Sequence, residues 1–181
     1  MSKQQGELDL RQFKDQIAVI TGAGNNGIGW GIAKHVASEL GMHIVLVDLH
    51  MSVVDEACAQ LRELAPDRKI LGVQCDVTNI EELEKVAQVV SEEISGHPIG
   101  MVFANAGVIF NKTILNSPLE DWETTLDVNV IGVVATAKVL SLCFKAKVQR
   151  ACFARLPPLE DLYVEMGAPL LIKPANTRWL L

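Results

Sequence analysis

The sequence predicts an α/β fold: a doubly wound parallel sheet in three layers, α/β/α. Three observations predict it. Strand-like apolar runs alternate with helical patterns from residue 17 to about residue 146, the signature of right-handed βαβ units whose helices cover both faces of a parallel sheet. The first run passes through a glycine-rich turn directly into a helix, as a phosphate-binding turn does. Helix-start signals recur where the pattern changes period.

The first strand is predicted near 17–21, where Ile17-Ala18-Val19-Ile20 runs into Thr21-Gly22-Ala23-Gly24-Asn25-Asn26-Gly27-Ile28-Gly29, and a helix near 28–40 follows. Gly22, Gly24 and Gly27 satisfy G-x-G-x-x-G spacing. Glycines let the backbone turn tightly and approach a pyrophosphate, while the positive end of the next helix faces the anion. A second strand, near 43–48, ends in Asp48, followed by Leu49. That acid stands about 20 residues beyond the turn, where a dinucleotide-binding fingerprint places the ribose ligand. A helix near 51–65 carries Ser52 close to its start, with Asp55 and Glu56 next. The third strand, near 69–75, leads to Asp76-Val77-Thr78, and Thr78 or Asn79 can cap a helix near 79–95. A fourth strand, near 99–104, precedes Asn105-Ala106-Gly107, and Ser117-Pro118 opens a long helix near 118–146. After about Gln149 the alternation stops, and Pro157, Pro158, Pro169 and Pro174 interrupt the remainder.

A chain of 181 residues, 49% hydrophobic, is one domain by size and can bury a core. Its formal net charge of -6 and the absence of a Lys/Arg cluster argue against nucleic acid. The polar N-terminus lacks a signal-peptide stretch and no apolar run is long enough to span a bilayer, so a soluble, cytoplasmic protein without a membrane partner is expected. Cys58, Cys75, Cys143 and Cys152 have no C-x-x-C spacing, and His35, His43, His50 and His97 form no i, i+4 pair. No metal site is expected.

On these residues the first three-quarters of the chain resembles the short-chain dehydrogenase/reductase family, whose fold is a Rossmann-type doubly wound sheet. Thr21-Gly22…Gly27-Ile28-Gly29 is close to the family's TGxxxGIG turn, with one extra residue between the first two glycines. Asp76-Val77-Thr78 looks like the DV turn that holds the adenine. Asn105-Ala106-Gly107 is similar to the NNAG motif with alanine in place of the first asparagine, and Asn129, in Val128-Asn129-Val130-Ile131-Gly132, matches the helix asparagine. The resemblance implies an NAD(P)-dependent oxidoreductase acting on an alcohol or carbonyl. It implies dinucleotide contacts at Thr21, Gly22, Asn25, Asn26, Gly27, Ile28, Gly29, Asp48, Leu49, Asp76, Val77, Asn105, Ala106 and Gly107. Asn129 would support a water in a proton relay through a local kink in its helix.

Each position also has a plainer reading. Asp76 can cap a helix, Asn105 can be a turn former, and Asp48 can be a surface acid. Asp48 favours free ribose hydroxyls, and a carboxylate there would repel a 2′-phosphate, so NAD is preferred over NADP. Asn129, among apolar residues, requires a hydrogen-bond partner.

The family's proton donor is a tyrosine with a lysine four residues later and a serine upstream. The only tyrosine here is Tyr163, followed four residues on by Gly167. The division expected is a dinucleotide-binding domain over 1–148 and a divergent tail over 149–181, with the sheet ending after its fourth strand and long helix. Three readings stay open: a dehydrogenase with Tyr163 and Lys173 brought together, a non-catalytic NAD-binding or interaction module, and a truncated gene product. A sheet edge and apolar helix faces left open, including Val133-Val134-Ala135 and Val139-Leu140, would favour self-association into homo-oligomers.

Overall fold

The structure is a computed structural model that describes residues 10–24, 27–143, 152–154 and 173–174. Its four central strands are β1 (Ile17–Thr21), β2 (His43–Asp48), β3 (Ile70–Gln74) and β4 (Ile99–Phe103). Helices α1 (Ile28–Ser38), α2 (Met51–Leu64) and α3 (Ile80–Glu93) connect them. The strands are parallel in the order β3-β2-β1-β4. The direction of growth reverses between β1 and β4, which opens a crevice at their carboxyl ends.

Strand side chains alternate between two cores. Ala18, Ile20, Ile44 and Leu46 pack under α1 and α2 with Trp30, Ala33 and Leu61. Ile17, Val19, Val45 and Val47 pack on the other face with Leu83, Val86 and Val90 of α3. Both faces of β1 and β2 are therefore buried, which is why these runs are continuously apolar.

The long helix is three pieces: α4 (Leu119–Leu126), a π-helical segment (Asp127–Gly132) and α5 (Val133–Cys143). A π turn stands where the local kink is expected, and Asn129 lies in it. Of the faces expected to be open, Ala135, Val139 and Leu140 are buried, because α5 packs on α3 and completes the second core. Val134 of the same run stays exposed, and along the long helix so do Leu119, Trp122, Leu126 and Ile131.

The sheet continues past β4, where the sequence expects it to end. Strand β5 (Cys152–Ala154) pairs parallel with Met101–Phe103, and β6 (Lys173–Pro174) pairs antiparallel with β5. A three-residue strand is shorter than the run that periodicity can recognise. Pro174, which cannot donate to a ladder, lies at the sheet's edge.

Helix starts differ in one respect from expectation. Asn79 caps α3 by accepting from the amides of Glu81 and Glu82, whereas α2 begins after His50 with no side-chain cap, and Ser52 lies within the helix. Among the described residues no helix is long and apolar enough to cross a membrane.

Candidate functional site

The carboxyl ends of β1 and β4 are knitted together by Thr21 and Asn105. Thr21 is buried, 1% exposed, and its hydroxyl oxygen accepts from the amides of Asn105 and Ala106 at 3.1 Å each. In return, Asn105 Nδ2 donates to the carbonyls of Thr21 and Gly22 at 3.0 Å. Asn105 is thus more than a turn former: its carboxamide donors fix the glycine turn against the β4 loop.

That approach requires glycine. Gly22 has φ +63°, and a β-carbon there would lie 2.7 Å from Ala106 Cα. At Gly29, in the first turn of α1, a β-carbon would lie 2.7 Å from both Asn105 Nδ2 and the Gly22 carbonyl. The N-cap Gly27 offers α1 no side-chain acceptor, so the leading amides of that helix face the turn with none from their own cap residue. Ile28 is half-buried at the helix start. Asn25 and Asn26 lie outside the described residues.

Asp48, at the end of β2, accepts from the Gly24 amide through Oδ2 at 3.0 Å. Its Oδ1 has only a long contact, 3.4 Å, from the His50 amide. The carboxylate is held beside the turn and keeps accepting capacity on Oδ1. Leu49 is exposed next to it. Along the same sheet edge, Asp76 Oδ1 accepts from the amide and hydroxyl of Thr78 at 2.9 and 2.7 Å. Asp76 therefore shapes the β3–α3 turn, while the helix cap is Asn79. Val77 is buried, and the approach of the π segment at Gly132 leaves no room beside it: a β-carbon at Gly132 would lie 2.8 Å from Val77 Cγ2. Burial, with Glu82 and Asp76 adding to it, pushes the neighbouring Cys75 thiol up to about 12, so it stays protonated and unreactive at neutral pH.

Asn129 has the partner its burial demands. Its Oδ1 accepts from the Val108 amide at 2.9 Å and its Nδ2 donates to the Val108 carbonyl at 2.8 Å. The π segment is thereby clamped to the loop after β4, and Gly107 sits within the clamp, where a β-carbon would lie 3.1 Å from Asn129 Oδ1. The nearest neighbour of that missing side chain is Asn129. Beside the clamp opens a cleft of about 330 Å3 lined by Val108, Phe110, Lys112, Asp121, Trp122 and Asn129. Lys112 is paired with Asp121 at 2.7 Å and lies over the Phe110 ring. The sequence offered one signal for this cleft, the apolar run Val108-Ile109-Phe110 directly after Gly107; the pairing with α4 is a long-range matter.

Thr21, Gly22, Gly29, Asn105, Ala106, Gly107 and Asn129 thus meet at the β1/β4 crevice, with Asp48 and Asp76 further along the edge. Tyr163 lies outside the described residues.

Residues 16–150 match the family model of the short chain dehydrogenases. Over 127 residues the chain is 32% identical to meso-2,3-butanediol dehydrogenase of Serratia marcescens, a span of 70% of this chain and 47% of that protein. Among solved structures it is similar to L-sorbose reductase from Gluconobacter frateurii complexed with NADPH and L-sorbose, at 31% identity and TM-score 0.65, over 74% of this chain and 49% of that one. A short chain dehydrogenase/reductase from Burkholderia phymatum in complex with NAD is 27% identical, with TM-score 0.69, over 84% of this chain and 52% of that one. The chain spans about half the length of the curated relatives it matches.

Proposed function

The chain belongs to the short-chain dehydrogenase family, and from that membership we propose that it binds a nicotinamide dinucleotide, NAD in preference to NADP, for hydride exchange with an alcohol or carbonyl. The observation that carries the reading is Asp48: one carboxylate oxygen is anchored to the Gly24 amide of the glycine turn, and the other keeps accepting capacity. Ribose hydroxyls are donors and suit it; a 2′-phosphate is repelled.

The residues present fit such a group. Gly22 and Gly29 keep the turn close to the Asn105 loop, and the leading amides at the start of α1 suit a pyrophosphate. In this reading Thr21, Gly22, Asn25, Asn26, Gly27, Ile28 and Gly29 cradle the phosphates. Asp48 and Leu49 flank the adenosine ribose, Asp76 and Val77 the adenine, and Asn105, Ala106 and Gly107 the nicotinamide side. When bound, the dinucleotide supplies or takes the hydride. The chain supplies position: Asn129 holds the loop after β4 through Val108, and the second lone pair of its Oδ1 is the capacity left for a relayed water.

Titration of the full chain with both reduced dinucleotides tests the assignment. NADH is expected to bind more tightly than NADPH, and Asp48→Ala to narrow the gap by weakening NADH and relieving the repulsion of NADPH. Equal affinities in the wild type would remove Asp48 from this role.

We propose as well that the chain self-associates through the exposed stripe of Leu119, Trp122, Leu126, Ile131 and Val134. Light scattering is expected to return a mass above that of one chain, 19.7 kDa, and Leu126→Lys to reduce it. A monodisperse monomer would contradict the proposal.

A further inference from the structure

His43 opens β2 at the amino edge of the sheet, opposite the crevice. It is 5% exposed. The Lys69 amide donates to its Nδ1 at 3.0 Å, and since an amide can only donate, Nδ1 presents a lone pair and the neutral ring carries its proton on Nε2. That Nε2 is buried without a hydrogen-bond partner. The ring of His97 meets His43 edge to face, with centroids 4.3 Å apart and planes at 80°. His97 Nδ1 lies 2.7 Å from the Asp15 carbonyl, an acceptor, and so carries a hydrogen. Backbone groups thus fix both tautomers.

We infer that His43 is a proton-sensitive latch: neutral, it holds the α2–β3 connection onto the start of β2, and protonated, it releases that corner. A second proton must go to Nδ1, where it would face the Lys69 N–H, donor against donor. The bond at 3.0 Å is then lost, next to the ladder bond from the Ile44 amide to the Lys69 carbonyl. The charged groups facing the ring mostly oppose protonation. Burial first, then His97, Arg68 and Lys69, hold the imidazole below its ordinary value, while Asp15 alone favours the cation. Asp15 is itself engaged by Arg68, which also bonds the Gly41 carbonyl at 2.7 Å.

The sign follows from linkage. The folded state prefers neutral His43, so the unfolded chain binds more protons between the lowered value and the ordinary 6.5. The latch's stabilisation is full above that ordinary value and is lost progressively as pH falls from it toward the lowered value.

Urea unfolding of the full chain at about pH 7.5 and about pH 5.5, either side of the ordinary imidazole value, compares wild type with His43→Asn. Asparagine Oδ1 keeps an acceptor for Lys69 and does not titrate. The wild-type midpoint is expected to fall on acidification, and the fall to be clearly smaller in His43→Asn; an equal fall in both would overturn the inference. Should the variant not fold, nitrogen-15 spectra of the wild-type ring decide. An Nε2–H tautomer titrating below 6.5 supports the latch, and an Nδ1–H tautomer, or titration at or above that value, overturns it.

Discussion

Gly22→Val and Gly29→Val are expected to abolish dinucleotide binding while Gly31→Ala leaves it intact. Position 22 combines two penalties. Its φ of +63° is left-handed, which costs a side chain about 1–2 kcal/mol, more for a β-branched one, and the new β-carbon would meet the backbone of Ala106 at 2.7 Å. Backbone cannot swing aside as a flexible side chain can. The Asn105 loop must therefore retreat, breaking its bonds to Thr21 and Gly22. At Gly29 the obstacles are Asn105 Nδ2 and the Gly22 carbonyl, partners of one of those bonds. Gly31, two residues after Gly29, has open space where its β-carbon would stand, and alanine there should stabilise α1 by up to about 1 kcal/mol. Fluorescence titration with NADH separates the three variants, and a thermal melt of each shows whether lost binding is lost folding. Undiminished binding in both valine variants would show that the turn is only a connector.

Turnover is the second large effect. The sequence contains no Tyr-x-x-x-Lys, since four residues after Tyr163 stands Gly167. A general acid or base beside the hydride path contributes roughly two to four orders of magnitude in rate, so the full chain, assayed alone on alcohols and ketones with either nicotinamide, is expected to turn over at least about a hundredfold more slowly than a family enzyme with that donor. Wild type is to be run beside Tyr163→Phe and Asn129→Ala. Rapid turnover that disappears in Tyr163→Phe would contradict this and identify the tyrosine as the donor. Rapid turnover lost only in Asn129→Ala would point to the water relay with another donor.

Local pattern made much of the framework readable. The strands predicted near 17–21 and 43–48 coincide with Ile17–Thr21 and His43–Asp48, because burial on both faces leaves an unbroken apolar run. Asn79, one of two caps considered, is the cap because its Oδ1 reaches both Glu81 and Glu82 amides. The requirement that Asn129 be bonded could be argued from its apolar neighbours, yet its partner, Val108, is 21 residues away, and no periodicity reports such a pairing. The same limit hid why Gly22 and Gly29 are glycines: both avoid atoms of a loop more than 70 residues distant, and Gly29 avoids the Gly22 carbonyl as well. It also hid the latch at His43, whose bond to Lys69 forms only when β2 and β3 lie side by side. Strand β5 escaped notice for a different reason, its three-residue length.

The account rests on a dinucleotide lying across the β1/β4 crevice with its adenosine ribose at Asp48. Titrating the wild-type chain with NADH and NADPH, while following nicotinamide fluorescence, measures this most directly. Saturable binding of NADH at one site per chain, tighter than that of NADPH, is the expected result. No saturable binding of either dinucleotide by a chain that melts cooperatively would contradict it.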